Sequence, residues 1–241
     1  MNISSRLYME FAPEYKYSAI ISKNWFYIRN DMSKEKNNLL PDNNFSLILI
    51  QDKQNEEIRL LRPHTNKIEL ENKSNIILFG FSIYPIIKIE ISDFNEIKTI
   101  NKPENYERES LQNYFSQMNE IILNIIITKN KTINNIVSDA IKLIIKNPEI
   151  KIKEIVSLLN INERTLQRKF KEYTGLNMKK YAMLEKFKES TDKLSLEEIY
   201  KNDMKYYDQS NFNKEFKKLS GNNPTDFLKM QRRIKKKFYK N

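Results

Sequence analysis

The chain has 241 residues, a net charge of +11, no cysteine and a single histidine. Absence of cysteine removes disulfides, thiolate zinc sites, iron–sulfur clusters and a cysteine nucleophile together. Residues 1–149 carry 19 Lys+Arg against 19 Asp+Glu, while residues 150–241 carry 23 against 12, so the whole positive excess lies in the last 92 residues. A neutral region followed by a basic one suits two domains of ordinary size, the second with the electrostatic footprint of a polyanion binder.

The first residues, "MNISSRLYMEFAPEYKY", lack the basic start, apolar run and small-residue cleavage site of a signal peptide. The most apolar runs, "NIILFGFSIYPIIKIEI" and "EIILNIIIT", are short or interrupted by Lys88, Glu90 and Asn124, below the roughly 20 apolar residues that span a bilayer. A soluble, cytoplasmic protein with no membrane partner is the expectation. Residues 1–102 then read as a β-rich domain, because "FSLILIQD", "EEIRLLRP", "NKIELEN", "SNIILFGFSIYP" and "IIKIEISDF" are short β-branched or aromatic runs between polar breakers. Pro41-Asp42-Asn43-Asn44 has the composition of a turn. Several such runs suggest a sandwich or barrel.

Residues 103–147 read as a helical linker. Leu111, Tyr114, Phe115, Met118, Ile121, Ile122, Ile125 and Ile126 recur at spacings of three and four, and a second such stripe runs from Ile133 to Ile145. The first stripe suits either a dimer seam or a helix docked on its own β domain.

Residues 148–235 are helical throughout and contain a repeat. "RKFKEYTG" and "KEFKKLSG" place Gly175 and Gly221, two of only three glycines, 46 residues apart. Each glycine follows a helix pattern, where a left-handed residue commonly closes the last turn. In the first unit "KIKEIVSLLN" gives a short helix, Asn162 caps the next, and "ERTLQRKFKEYT" buries Leu166, Phe170 and Tyr173. In the second, Ser195 to Glu198 forms a capping box, Asp208 caps "QSNFNKEFKKLS", and Phe212 and Phe216 take the places of Leu166 and Phe170. A connecting helix between them offers Met178, Tyr181, Leu184 and Phe187 for packing. Helix, tight turn, helix is the outline of a helix-turn-helix, although repeated short helices also build bundles without that role. Opposite the apolar face lie Arg164, Gln167, Arg168 and Lys171 in the first unit and Gln209, Ser210, Asn213 and Lys214 in the second. Arg forks onto guanine, and Gln or Asn onto adenine, in the major groove.

With these residues in view, residues 150–235 resemble the C-terminal DNA-binding domain of the AraC/XylS family of bacterial transcription regulators. The first unit follows the family pattern through Leu166, Arg168, Phe170, Gly175 and Tyr181, and the second through Tyr206, Asp208, Gln209, Ser210, Phe212, Phe216-Lys217, Gly221 and Pro224. Departures stand at Val156, Met178, Tyr200 and Lys205. Upstream, "YMEFAPEYKYSAIISKNWFY", "LLPDNNFSLILI" and "ILFGFSIYP" resemble the β-rich sensor domain that precedes this module in such regulators, often a cupin-like barrel. Trp25 and Tyr27 are then candidates for lining a cavity, against the plainer reading of strand aromatics as core.

The resemblance implies an α+β chain: a cupin-like β-rich regulatory domain, a helical linker and an all-α domain with two helix-turn-helix units, each unit's second helix entering the major groove about one turn, or ~34 Å, apart. It implies base contacts from Arg164, Gln167, Arg168, Gln209, Ser210, Asn213 and Lys214, and phosphate contacts from Lys171, Lys217 and Lys218, which position without specifying. Double-stranded promoter or operator DNA is the implied partner, with room for a small-molecule effector, RNA polymerase and a homodimer. The tail, residues 236–241 with the preceding "QRRIK", adds phosphate attraction blind to sequence.

An enzyme is not expected. His64 alone cannot build the two- or three-histidine set of a catalytic cupin metal, and glycines only at 80, 175 and 221 leave no phosphate-cradling loop. No catalytic residue, metal or cofactor is assigned, and His64 reads as a solvated loop residue. The same fold suits one other role, a non-DNA-binding interaction or anti-regulator protein that turns its basic face to a protein.

Overall fold

The strand "IILFGFSI" is apolar on both faces, and a strand of that kind belongs in the middle of a sheet covered on both sides. In the computed structural model, which describes residues 6–30, 37–52, 55–70, 75–99, 101–193, 209–221 and 223–226, it takes that place. The strands are β1 (Arg6–Phe11), β2 (Ile21–Arg29), β3 (Asn37–Leu39), β4 (Phe45–Gln51), β5 (Glu56–Leu61), β6 (Ile68–Leu70) and β7 (Ile76–Ile83). An antiparallel five-stranded sheet runs in the order β1-β2-β7-β4-β5, and β3 and β6 form a separate two-stranded ribbon.

Alternation along β7 divides its side chains between two cores. Phe79 and Phe81 face the larger one, where α1 (Arg108–Thr128) lays Tyr114 and Phe115 on the sheet, with ring centroids 4.9 Å apart for Phe79–Tyr114 and 5.4 Å for Phe81–Phe115. Ile76 and Leu78 face a smaller one with Trp25, Ile48 and Ile50, which Leu39 of the ribbon helps to cover. Gly80 pairs with Trp25 on one side and Ile48 on the other, and a Cβ on it would lie 1.9 Å from the indole. The glycine is therefore a close-approach residue: its missing side chain is the space that Trp25 fills. Trp25 is 6% exposed and belongs to core.

The run "IIKIEISDF" departs from the expected strand. Ile86 and Ile87 are both buried, which breaks the alternation a half-covered strand requires, and Pro85 supplies no N–H for a ladder. Asp93 accepts the Glu90 N–H at 2.8 Å and opens a 3-10 helix, Ile91–Thr99. Burial pushes the Asp93 carboxyl up, yet Lys131 at 2.8 Å and the Glu90 amide hold it below its ordinary value.

The helices are α1, α2 (Asn135–Lys146), α3 (Ile152–Leu158), α4 (Glu163–Thr174), α5 (Met178–Lys193) and α6 (Gln209–Ser220). The stripe of α1 docks on its own sheet through Leu111, Tyr114, Phe115, Met118 and Ile122, all 5% exposed or less. Asn134 caps α2 by accepting from Val137 N at 3.1 Å, while its own N–H donates to Ile86 O at 2.8 Å and ties α2 to the chain leaving the sheet. One contiguous apolar cluster runs from Phe26 and Phe81 through Ile122 and Ile141 to Leu166, Phe170, Tyr181 and Phe216. The chain is an α+β protein, with the sheet first and the helices after it.

Candidate nucleic-acid interface

The geometry of α3, its turn and α4 follows from a few residues. Leu159 and Asn160 end α3, with Asn160 at φ 47°, a left-handed conformation that asparagine tolerates. The Asn162 side chain accepts from Arg164 N at 3.0 Å and Thr165 N at 3.3 Å, satisfying amide groups that the start of a helix leaves without partners. At the other end Gly175 adopts φ 72°, ψ −7°, and its N–H donates to Lys171 O at 2.8 Å. The Thr174 hydroxyl donates to Phe170 O at 2.8 Å and accepts from Leu176 N at 3.0 Å, so the turn beyond α4 is pinned from inside.

Beneath α4, Leu166 and Phe170 are fully buried, and Phe170 meets Tyr181 of α5 edge-on at 5.3 Å. Ile155 anchors α3 in the same core. On the opposite side of α4, Arg164, Gln167, Arg168 and Lys171 are all exposed, and Gln167 Nε2 donates to Glu163 Oε1 at 2.8 Å. One helix thus presents an apolar row inward and a hydrogen-bonding row outward.

In α6, Phe216 and Leu219 are buried, with Phe216 5.2 Å from Phe187 of α5, while Asn213, Lys214, Lys217 and Lys218 are exposed. Gly221 closes the helix at φ 78°, the counterpart of Gly175. Gln209, Ser210 and Phe212 lie on α6, but their side chains fall outside the described residues, as do Ser195 to Asp208, with Tyr200, Lys205 and Tyr206, and the basic tail.

Behind these helices the sheet region makes polar contacts that the sequence did not announce. Asn43 Nδ2 donates to Glu185 Oε2 of α5 at 2.6 Å, with the two residues 2% and 5% exposed. Asp42, next to it, accepts from Asn44 N at 3.0 Å and pairs by backbone with His64. The stretch 41–44 is therefore a buried seam: Asn43 faces a helix that arrives 142 positions later in the chain, and Asn44 Nδ2 donates to Ser22 Oγ of β2 at 3.0 Å. His64 is half-buried there, against the expected solvated loop, because that pairing draws it beside Asp42. Burial raises the Tyr181 hydroxyl well above its ordinary pKa, and the nearby Glu185 and Asp42 add to the shift. Lys88 ion-pairs with Glu172 and sits 5.2 Å over the Tyr173 ring, while a Cβ on Gly221 would lie 3.1 Å from Lys67 Nζ. Lysines of the sheet region thus touch the C-terminal ends of both α4 and α6, where a helix carries its partial negative charge.

Sequence reasoning overlooked Glu163, though it stands one helical turn before Gln167, the spacing at which side chains meet. Among the described residues no group of three or more His, Asp or Glu could hold a metal ion, and no helix is long and apolar enough to cross a membrane. No family model, no curated protein and no solved structure matches the chain.

Proposed function

We propose that the protein is a sequence-specific DNA-binding transcription regulator of AraC/XylS type, in which α3 and α4 act as one helix-turn-helix and α6 is the reading helix of a second. The observation that carries this reading is the exposed row Arg164, Gln167, Arg168 and Lys171, held on a helix whose other side is locked into the core by Leu166 and Phe170. That row belongs to the part of the chain that holds the whole net charge of +11. Phosphates attract such a surface whatever the sequence. Arg and Gln at the reading positions then choose among base edges, and Lys171, Lys217 and Lys218 fix the register on the backbone. Gln209, Ser210, Asn213 and Lys214 are the second set of readers. The sheet region takes the regulatory role, because its contacts with α5 and with the ends of α4 and α6 set how those helices are presented.

The test compares binding of the full chain to its own gene's promoter and to random duplex. Replacing Gln167 and Arg168 by Ala together should abolish the preference while nonspecific, salt-sensitive binding persists. An unchanged preference would remove these residues from base readout.

A further inference from the structure

We propose that Glu163 is a positioning residue that makes Gln167 a reader of adenine and a poor reader of guanine, an inference that rests on α4 being a reading helix. The argument is a count of donors and acceptors. A glutamine amide has two N–H donors on one atom and an acceptor oxygen on the other, and the side chain can turn either end toward a neighbour. A carboxylate accepts and does not donate. Glu163 Oε1 therefore fixes which end of the Gln167 amide faces it, and the bond is made through Nε2 at 2.8 Å.

One N–H is now committed. Gln167 is left with one N–H and its carbonyl oxygen, one donor beside one acceptor. Adenine offers the complement in the major groove, an N7 acceptor beside the N6 amino donor. Guanine offers two acceptors, N7 and O6. A free glutamine amide can turn both N–H groups to them, whereas the tethered one meets the second acceptor with its own oxygen. Glu163 acts here through Gln167, and the count needs no contact between its carboxylate and a base.

The full-length chain and its Glu163→Ala, Glu163→Gln and Gln167→Ala variants would be measured on duplexes that differ at one base pair at a time. Gln167→Ala identifies the pair that Gln167 reads, and the wild type should prefer adenine there. Glu163→Ala should lower the adenine-to-guanine affinity ratio at that pair by at least about fivefold, the low end of what one bidentate contact discriminates. Ratios at pairs read by Arg168 should not move. Glu163→Gln, which can donate as well as accept, should give an intermediate ratio. In a Gln167→Ala background, Glu163→Ala should change no ratio at all. The proposal is overturned if Glu163→Ala raises affinity for every duplex equally and leaves the ratio intact, since Glu163 is then only a surface charge. It is overturned equally if the effect persists without Gln167, which would make Glu163 a direct reader, or if the pair that Gln167 reads is not adenine. A wild type that binds all duplexes alike removes the DNA-reading function and this inference with it, and is told apart from the other failures by that first measurement.

Discussion

Two polar regions of this protein use similar side chains to opposite ends. At the seam between sheet and helices, Asn43 and Glu185 are buried and joined at 2.6 Å. On α4, Gln167 and Glu163 are joined at 2.8 Å and both are exposed. Both pairs are an amide donating to a carboxylate. Buried, such a bond fixes the orientation of two elements, because breaking it strands a carboxylate away from water. Exposed, it contributes little to stability, since water replaces either partner, and what it retains is control over which hydrogen-bonding groups face outward. Burial, more than residue type, separates the pair that joins two elements from the pair that faces solvent.

The largest test breaks both regions at once. Phe170 supports the exposed polar row of α4 from beneath and packs on Tyr181 of the seam helix, so Phe170→Ala should cost about 3–5 kcal/mol in chemical denaturation and reduce the proposed DNA binding with it. Asn43→Ala should separate the two: a loss of about 1.5–3 kcal/mol, the range for a hydrogen bond to a charged group, with base preference kept. A change on the proposed reading face such as Gln167→Ala should do the reverse, holding stability within about 0.5 kcal/mol. If both variants alter stability equally, the contrast between seam and reading face fails.

Gly175→Ala should cost about 1 kcal/mol, read as a drop in the denaturation midpoint. Nothing lies within 4 Å of the added Cβ, so the loss is backbone strain at φ 72° alone. The smallest effect belongs to Lys88 and Glu172. The hydrogen bond from Lys88 holds the Glu172 carboxyl below its ordinary value, and the same bond holds Lys88 above its own. A depressed carboxylate lends stability that is present above its unfolded pKa and lost as pH falls through the folded one. A raised lysine lends stability present below its unfolded pKa and lost as pH rises through the folded one. The pair therefore supports the seam at neutral pH and releases it in acid. Lys88→Ala should flatten that acid dependence slightly, and added salt should hide the difference, because both groups are open to solvent.

Local chemistry made much of the first helix-turn-helix-like unit legible in the sequence. Asn162 before an apolar period of three and four marks the start of α4, and Gly175 marks its end, because capping and left-handed closure depend on a few neighbouring residues. The polar row of α4 was legible for the same reason, since four exposed positions on one helix share a face by spacing alone. Ile86 to Phe94 was not, as its apolar residues pack in a non-alternating order that β-branched composition does not reveal. Nor was the place of Asn43 and Asn44, whose composition marked only a turn, or that of His64, expected in a solvated loop.

The sequence by itself determined the two ends of α4 and its inward and outward faces, most of the strands of the first hundred residues, and the confinement of the net positive charge to the last 92. Each of these depends on residues near one another along the chain. Only the tertiary structure decided that α1 lies on its own sheet, that Gly80 makes room for Trp25, and that Asn43 meets Glu185. Those outcomes join positions tens to more than a hundred residues apart, where the pairing is chosen by how surfaces fit and by which polar groups can be satisfied out of water, and no local pattern carries that information.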